Sequence, residues 1–134
     1  MHPYQMNQWN ADHLKQLNQE TGQALLSDEQ TLALFSQDFG RLIHSKPAFV
    51  AVPKTEAELV QLISYAHKHK LPVTIRSYGL SQGGQSLPVS GGLTLSMEHF
   101  KAVGVCEGDS IWADTCASWA DVLAETLKQF KVPF

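Results

Sequence analysis

The 134-residue chain predicts an α+β fold: a small parallel strand-helix-strand subdomain followed by the start of a mixed or antiparallel sheet. Three observations carry this. Prolines fence a β-favouring run over residues 47–53. A capped, apolar-striped helical pattern follows it and leads into a second β-rich run at residues 73–76. Further on, Glu107-Gly108-Asp109 interrupts two more such runs in the manner of a hairpin turn.

Residues 1–46 read as an N-terminal helical adaptor. Residues 12–17 are weakly helical, and Ser27-Asp28-Glu29-Gln30 caps a short apolar run at residues 31–35. The core unit starts at Pro47. After the strand at residues 47–53, Thr55 with Glu58 three residues on has the form of a capping box. Ala57, Leu59, Val60, Ile63, Tyr65 and Ala66 then recur at helical spacing and are expected to lie on a sheet. Leu71-Pro72 stops that helix, Val73-Thr74-Ile75-Arg76 supplies the next strand, and the unit prefers parallel, right-handed closure. Residues 92–96 and 102–106 read as strands of the second unit, the latter turning back into residues 111–114. Ser118 caps a last helix with Trp119, Val122, Leu123, Leu127 and Phe130 on one side, before Pro133-Phe134.

Composition narrows the function. A net charge of -3 with ten Lys and Arg and no basic stripe argues against a nucleic-acid partner. No apolar stretch approaches the roughly 20 residues of a membrane span, and the Gln- and Asn-rich start lacks the apolar core of a secretory signal. A soluble, cytoplasmic chain is expected. Cys106 and Cys116 lack CxxC spacing and read as reduced thiols, while His67 and His69, two apart on a helix, read as surface residues rather than metal ligands.

The informative stretch is Arg76-Ser77-Tyr78-Gly79-Leu80-Ser81-Gln82-Gly83-Gly84-Gln85-Ser86, which follows directly on a strand. A loop at the end of a parallel strand is well placed for a ligand. Glycines let successive backbone N–H groups converge on one anion, and Ser77, Ser81, Gln85 and Ser86 carry side-chain donors. Alone, the stretch reads equally well as a surface connection. A P-loop and a Rossmann turn are both disfavoured: Gln85 stands where the P-loop lysine would be, and residues 87–92 cannot start the helix that both require.

The ordered motifs resemble the vanillyl-alcohol-oxidase type (PCMH-type) of FAD-binding domain, and most closely its cytokinin-dehydrogenase branch. Asp38-Phe39-Gly40, the run from Pro47 to Pro53, the loop from Arg76 to Ser86, and Trp119-Ala120-Asp121-Val122-Leu123 with Thr126-Leu127 each resemble a motif of that branch. The resemblance implies that residues 47–134 are a partial FAD-binding domain, covering the first subdomain and the start of the second. It implies FAD as cofactor, its pyrophosphate held by Arg76, Ser77, Tyr78, Gly79, Leu80, Ser81, Gln85 and Ser86. Ser77 replaces a family glycine and restricts the backbone if a positive φ is needed there. Leu80 stands where covalently flavinylated relatives carry a histidine, which implies non-covalent binding.

The family's later flavin-binding segment and substrate domain have no counterpart up to Phe134, so no catalytic residue is assigned. Asp38, Asp114 and Asp121 read as turn, strand-end and helix-face residues. The leading expectation is the FAD-binding part of a flavin-dependent oxidoreductase. The alternatives are a truncated or decayed member acting as a non-catalytic interaction module, and phosphate or nucleotide binding without redox chemistry. Unpaired strand edges over residues 93–113 and the last helix predict self-association.

Overall fold

The computed structural model describes residues 6–129. Phe130 and Pro133-Phe134 lie outside the described residues. The elements run α1 (Ala11–Thr21), α2 (Glu29–Leu34), β1 (Phe49–Ala51), α3 (Glu56–Lys68), β2 (Val73–Arg76), β3 (Leu93–Ser96), β4 (Val103–Glu107), β5 (Ser110–Ala113) and α4 (Trp119–Lys128).

A three-stranded parallel sheet of order β1-β3-β2 forms the centre, with Phe49 and Val73 both level with Leu93. Sequence reading put residues 92–96 in the second unit with an open edge. Instead β3 sits between the two strands of the first unit, paired on both sides and buried at every residue. Its alternation of leucine with small hydroxyl residues reads as a strand with one solvated face, but Thr94 and Ser96 carry no charge and are buried on the second face as well. The second sheet is the expected hairpin, β4 antiparallel to β5, turning at Gly108 with φ 62°.

The core lies between the parallel sheet and helices α1 and α3. Leu17, Leu62, Leu93 and Leu95 are fully buried, each contributing roughly 1.5–3 kcal/mol over exposure. The residues before Pro47 share this core through Trp9, Leu17 and Leu25. Leu26 exchanges two backbone hydrogen bonds with Val50 and so covers part of the outer edge of β1.

Each helix starts where a side chain satisfies its free N–H groups: Asn10, Asp28, Thr55 and Ser118 are the N-caps. At α3 the Glu58 carboxylate accepts from Lys54 N–H, one residue short of a capping box. The apolar stripe expected on α3 is corrected. The inward row holds Leu59, Leu62, Tyr65 and Ala66, whereas Ala57, Val60 and Ile63 form a neighbouring row that faces solvent. Two apolar rows on one helix leave periodicity unable to choose between them. On α4, Val122 and Thr126 are buried, while Trp119, Leu123 and Leu127 are exposed.

The histidine reading is corrected as well. His69 caps α3 with its ring 4.3 Å from that of Tyr65 and 5.9 Å from that of His13 on α1, and its Nε2 is buried without a hydrogen-bond partner. Both cysteines are free thiols, Cys116 buried. Among the described residues no group of three or more His, Cys, Asp or Glu is placed to hold a metal, and no helix is long and apolar enough to cross a membrane.

Burial first, and then the neighbouring His69, hold the His13 imidazole below its ordinary value against the opposing pull of Asp12. A base held neutral in this way adds stability in full above about pH 6.5, and that contribution is lost as pH falls through the lower folded value. The thermal midpoint is therefore expected to fall as pH drops from about 7.5 to below 6.5. In His13→Gln the slope flattens, because glutamine can still close the capping box with Asn10 and does not titrate. Calorimetry across this range checks it; an identical slope in the variant would assign the titration elsewhere.

Candidate functional site

The loop over residues 77–86 leaves the C-terminal end of β2, and a second chain segment holds it in shape. Phe39 N–H donates to the Gly79 carbonyl at 2.8 Å, and Gly40 N–H to the Ser81 carbonyl at 3.1 Å. Asp38 completes the clamp. One carboxylate oxygen accepts from Ser81 Oγ and from Gly84 N–H, both at 2.8 Å, and the other accepts from Arg41 N–H at 3.1 Å.

The glycines here are set by close approach. At Gly40 a Cβ would collide with the Gln82 backbone carbonyl, and at Gly79, with φ 68°, it would collide with the Arg76 guanidinium. Arg76 is itself buried: its Nη1 donates to the Gln37 carbonyl at 2.7 Å and its guanidinium lies 5.0 Å from the centre of the Phe35 ring. Burial lowers the Arg76 pKa and Asp38 opposes that shift. Burial also raises the Asp38 carboxyl, but its hydrogen bonds from Ser81, Gly84 and Arg41 outweigh this and hold it below the usual carboxylate range. Asp38 therefore stays ionised beside a cation.

The predicted side-chain donors are in large part already committed. Ser81 Oγ is bonded to Asp38 and lies 2.7 Å from Ser86 Oγ; Gln85 Oε1 accepts from Gly83 N–H; Ser77 Oγ donates to the Thr115 carbonyl at 3.1 Å. Arg76 points into the fold. What the loop leaves available is backbone: among the described residues, the N–H groups of Tyr78, Gly79, Leu80, Ser81 and Gln82 donate to no protein acceptor. Consecutive N–H groups around a left-handed glycine are the arrangement that binds a phosphate anion, so a diphosphate fits here on backbone grounds. Ser77 has no positive φ, which removes the expected backbone restriction at that position.

A cavity of about 330 Å³ opens on one side of the loop, lined by Leu34, Asp38, Phe39, Arg76, Tyr78, Gly79 and Leu80 among others. A larger one of about 610 Å³ lies between β5 and α4. Its lining of Ile111, Trp119 and Val122 with the carboxylates Asp109 and Asp114 offers an anion no attraction. The loop is accordingly the candidate site.

Sequence reasoning missed Asp38 as the organiser of this loop, having read it as a turn residue. Its place in the Asp38-Phe39-Gly40 motif was the available signal.

Residues 47–134 match the family described as FAD binding domain. An uncharacterized oxidoreductase of the fasciation locus in Rhodococcoides fascians is 33% identical over 107 residues, covering 80% of this chain and 24% of that protein. Cytokinin dehydrogenase 7 of Oryza sativa subsp. japonica is 33% identical over 114 residues, covering 79% of this chain and 22% of that protein. Among solved structures, p-cresol methylhydroxylase superposes with a TM-score of 0.71 at 10% identity, covering 89% of this chain and 24% of that one. Chitooligosaccharide oxidase gives 0.68 at 16% identity, with 87% and 25% covered. At such identities the superpositions show the fold alone. The chain spans about a quarter of the length of the curated relatives it matches.

The contacts at Gly79 change what a substitution there does. A loop read as independent of the fold predicts that a β-branched residue at Gly79 abolishes binding and spares stability. With Arg76 buried against it, Gly79→Val is expected to lower the thermal midpoint by several degrees along with any anion binding. Gly83→Ala, whose Cβ meets only the flexible end of Gln85 at 3.0 Å, is expected to keep the wild-type midpoint. Thermal unfolding of the two variants side by side checks this; equal midpoints would place the loop outside the cooperative fold.

Proposed function

Because the chain belongs to the FAD binding domain family of oxidoreductases, we propose that the backbone N–H groups of residues 78–82 hold the pyrophosphate of a non-covalently bound FAD. The run of unpaired N–H groups around Gly79 carries this reading. In it Ser77, Ser81, Gln85 and Ser86 shape the loop through their own hydrogen bonds, and Arg76 balances the Asp38 charge beneath it. Leu80 and Tyr78 present exposed apolar surface beside the loop, and Leu80 has no nucleophile to bond to a flavin ring.

Residues 47–134 are then the partial FAD-binding domain, and residues 1–46 the helical adaptor that completes its core. When bound, the flavin supplies hydride and electron acceptance. In the whole protein we place this unit in an oxidoreductase acting on a small molecule.

A second reading, an interaction module that pairs with its own copies, is favoured by one observation. Trp112 on β5, Val105 on β4, and Leu123 and Leu127 on α4 are large apolar side chains left exposed by the hairpin unit; among the described residues no strand pairs with the outer edge of β5, while on β4 Gln129 accepts from the Cys106 N–H and donates to the Gly104 carbonyl. The expectation drawn from residues 93–96 does not contribute, since β3 has no free edge.

The purified chain is expected to carry less than one flavin per protein and to quench FAD fluorescence on titration, with ADP and inorganic pyrophosphate competing. All flavin should leave with the supernatant on acid precipitation. Flavin retained in the precipitate overturns non-covalent binding, and an unquenched titration overturns the diphosphate site. Light scattering over a dilution series is expected to show a dimer that dissociates; a monomer at every concentration removes the second reading.

A further inference from the structure

Resting on the FAD reading, we propose that the Ser77 side chain is a positioning residue that couples the diphosphate loop to the β4-β5-α4 unit. Ser77 Oγ donates to the Thr115 carbonyl at 3.1 Å across 38 residues of sequence, and Thr115 lies in the connection from β5 to α4. That acceptor is fixed in space. The next residue, Cys116, is 1% exposed, belongs to the main core, and donates its N–H to the Phe100 carbonyl at 2.9 Å. Ser77 therefore ties the first residue of the loop to an anchor that does not move with the loop.

A second contact runs alongside. The Lys101 ammonium lies 5.6 Å from the centre of the Tyr78 ring, and Lys101 also pulls the Asp121 carboxyl at the start of α4 downward, after the larger effect of Asp121's own hydrogen bonds with Ser118. Tyr78 is the first of the residues offering an unpaired N–H. Two successive loop residues, the second of them the first of the anion-binding stretch, thus touch the segments that flank the hairpin, at Thr115 and Lys101. A glycine at position 77 has no side chain to make the first of these contacts, and since Ser77 has no positive φ the backbone does not call for glycine.

The consequence is reciprocal. If the loop is held in its binding shape partly by Thr115, a diphosphate that favours that shape must also favour the Ser77–Thr115 bond, and with it the order of the connection from β5 to α4 and the elements it joins. Hydrogen exchange of the full chain with and without FAD, together with FAD titration, tests this on wild type, Ser77→Ala and Ser77→Thr. In wild type, FAD is expected to slow exchange both at residues 77–86 and in β4, β5 and α4. Ser77→Ala is expected to bind FAD about three- to tenfold more weakly, the loss of one hydrogen bond, with protection confined to the loop and an unchanged thermal midpoint. Ser77→Thr, which keeps the hydroxyl, restores both affinity and remote protection. Wild-type affinity and remote protection in Ser77→Ala would overturn the coupling and leave the FAD site standing. No binding by wild type would overturn the FAD site and the coupling with it.

Discussion

The arrangement of this protein turns on one carboxylate. Asp38 receives hydrogen bonds from Ser81, Gly84 and Arg41, and it does so while buried, where an ionised group without such donors would be costly. Because two of those donors come from the middle of the Gly-rich loop and the third from its own segment, the carboxylate holds the curvature of the loop. Among the described residues, the backbone N–H groups of residues 78–82 in the same loop are left without acceptors. Asp38 takes the Ser81 hydroxyl and the Gly84 N–H, which leaves the N–H groups of residues 78–82 as the loop's available donors, and Arg76 beside it offsets the charge of the carboxylate.

Much of the fold was legible because it is written in local signals. The caps Asp28, Thr55 and Ser118, the proline-fenced first strand, and the Gly108 turn are each decided by neighbours a few residues away. What could not be read depends on distance. Asp38 meets Ser81 and Gly84 across 43 and 46 residues, so nothing nearby separates it from an ordinary turn aspartate. The choice between the two apolar rows of α3 is made by Leu17 and the sheet rather than by α3 itself. Likewise His69 reads as one more scattered histidine until α1 brings His13 and Trp9 against the end of α3. The Gly-rich connection after β2 and its backbone N–H groups are legible in the sequence, but the commitment of the Ser77, Ser81 and Gln85 side chains to Thr115, Asp38 and Gly83 is not.

The two sheets differ in how finished they are. The parallel sheet has helices on its packed face and the Leu26 bridge on part of one edge, and its central strand is closed to water. The hairpin has one helix against it and leaves Val105 and Trp112 outward. The loop leaves the parallel sheet at β2 and reaches the segments that flank the hairpin through Ser77 and Tyr78, so its geometry depends on both.

The central position of β3 also has a consequence for the order of assembly. Among the described residues β1 and β2 do not pair with each other; each pairs in parallel with β3, which is the last of the three to be synthesised. A nascent chain ending before Leu93 holds two strands separated by a strand-wide gap. Every parallel pairing in the sheet must wait for a segment that lies after the glycine-rich loop. Such non-local closure slows folding, so the emerging chain spends longer with its future core exposed, and the polar, glycine-rich composition of residues 77–86 keeps that delay from leaving a sticky tether between the halves.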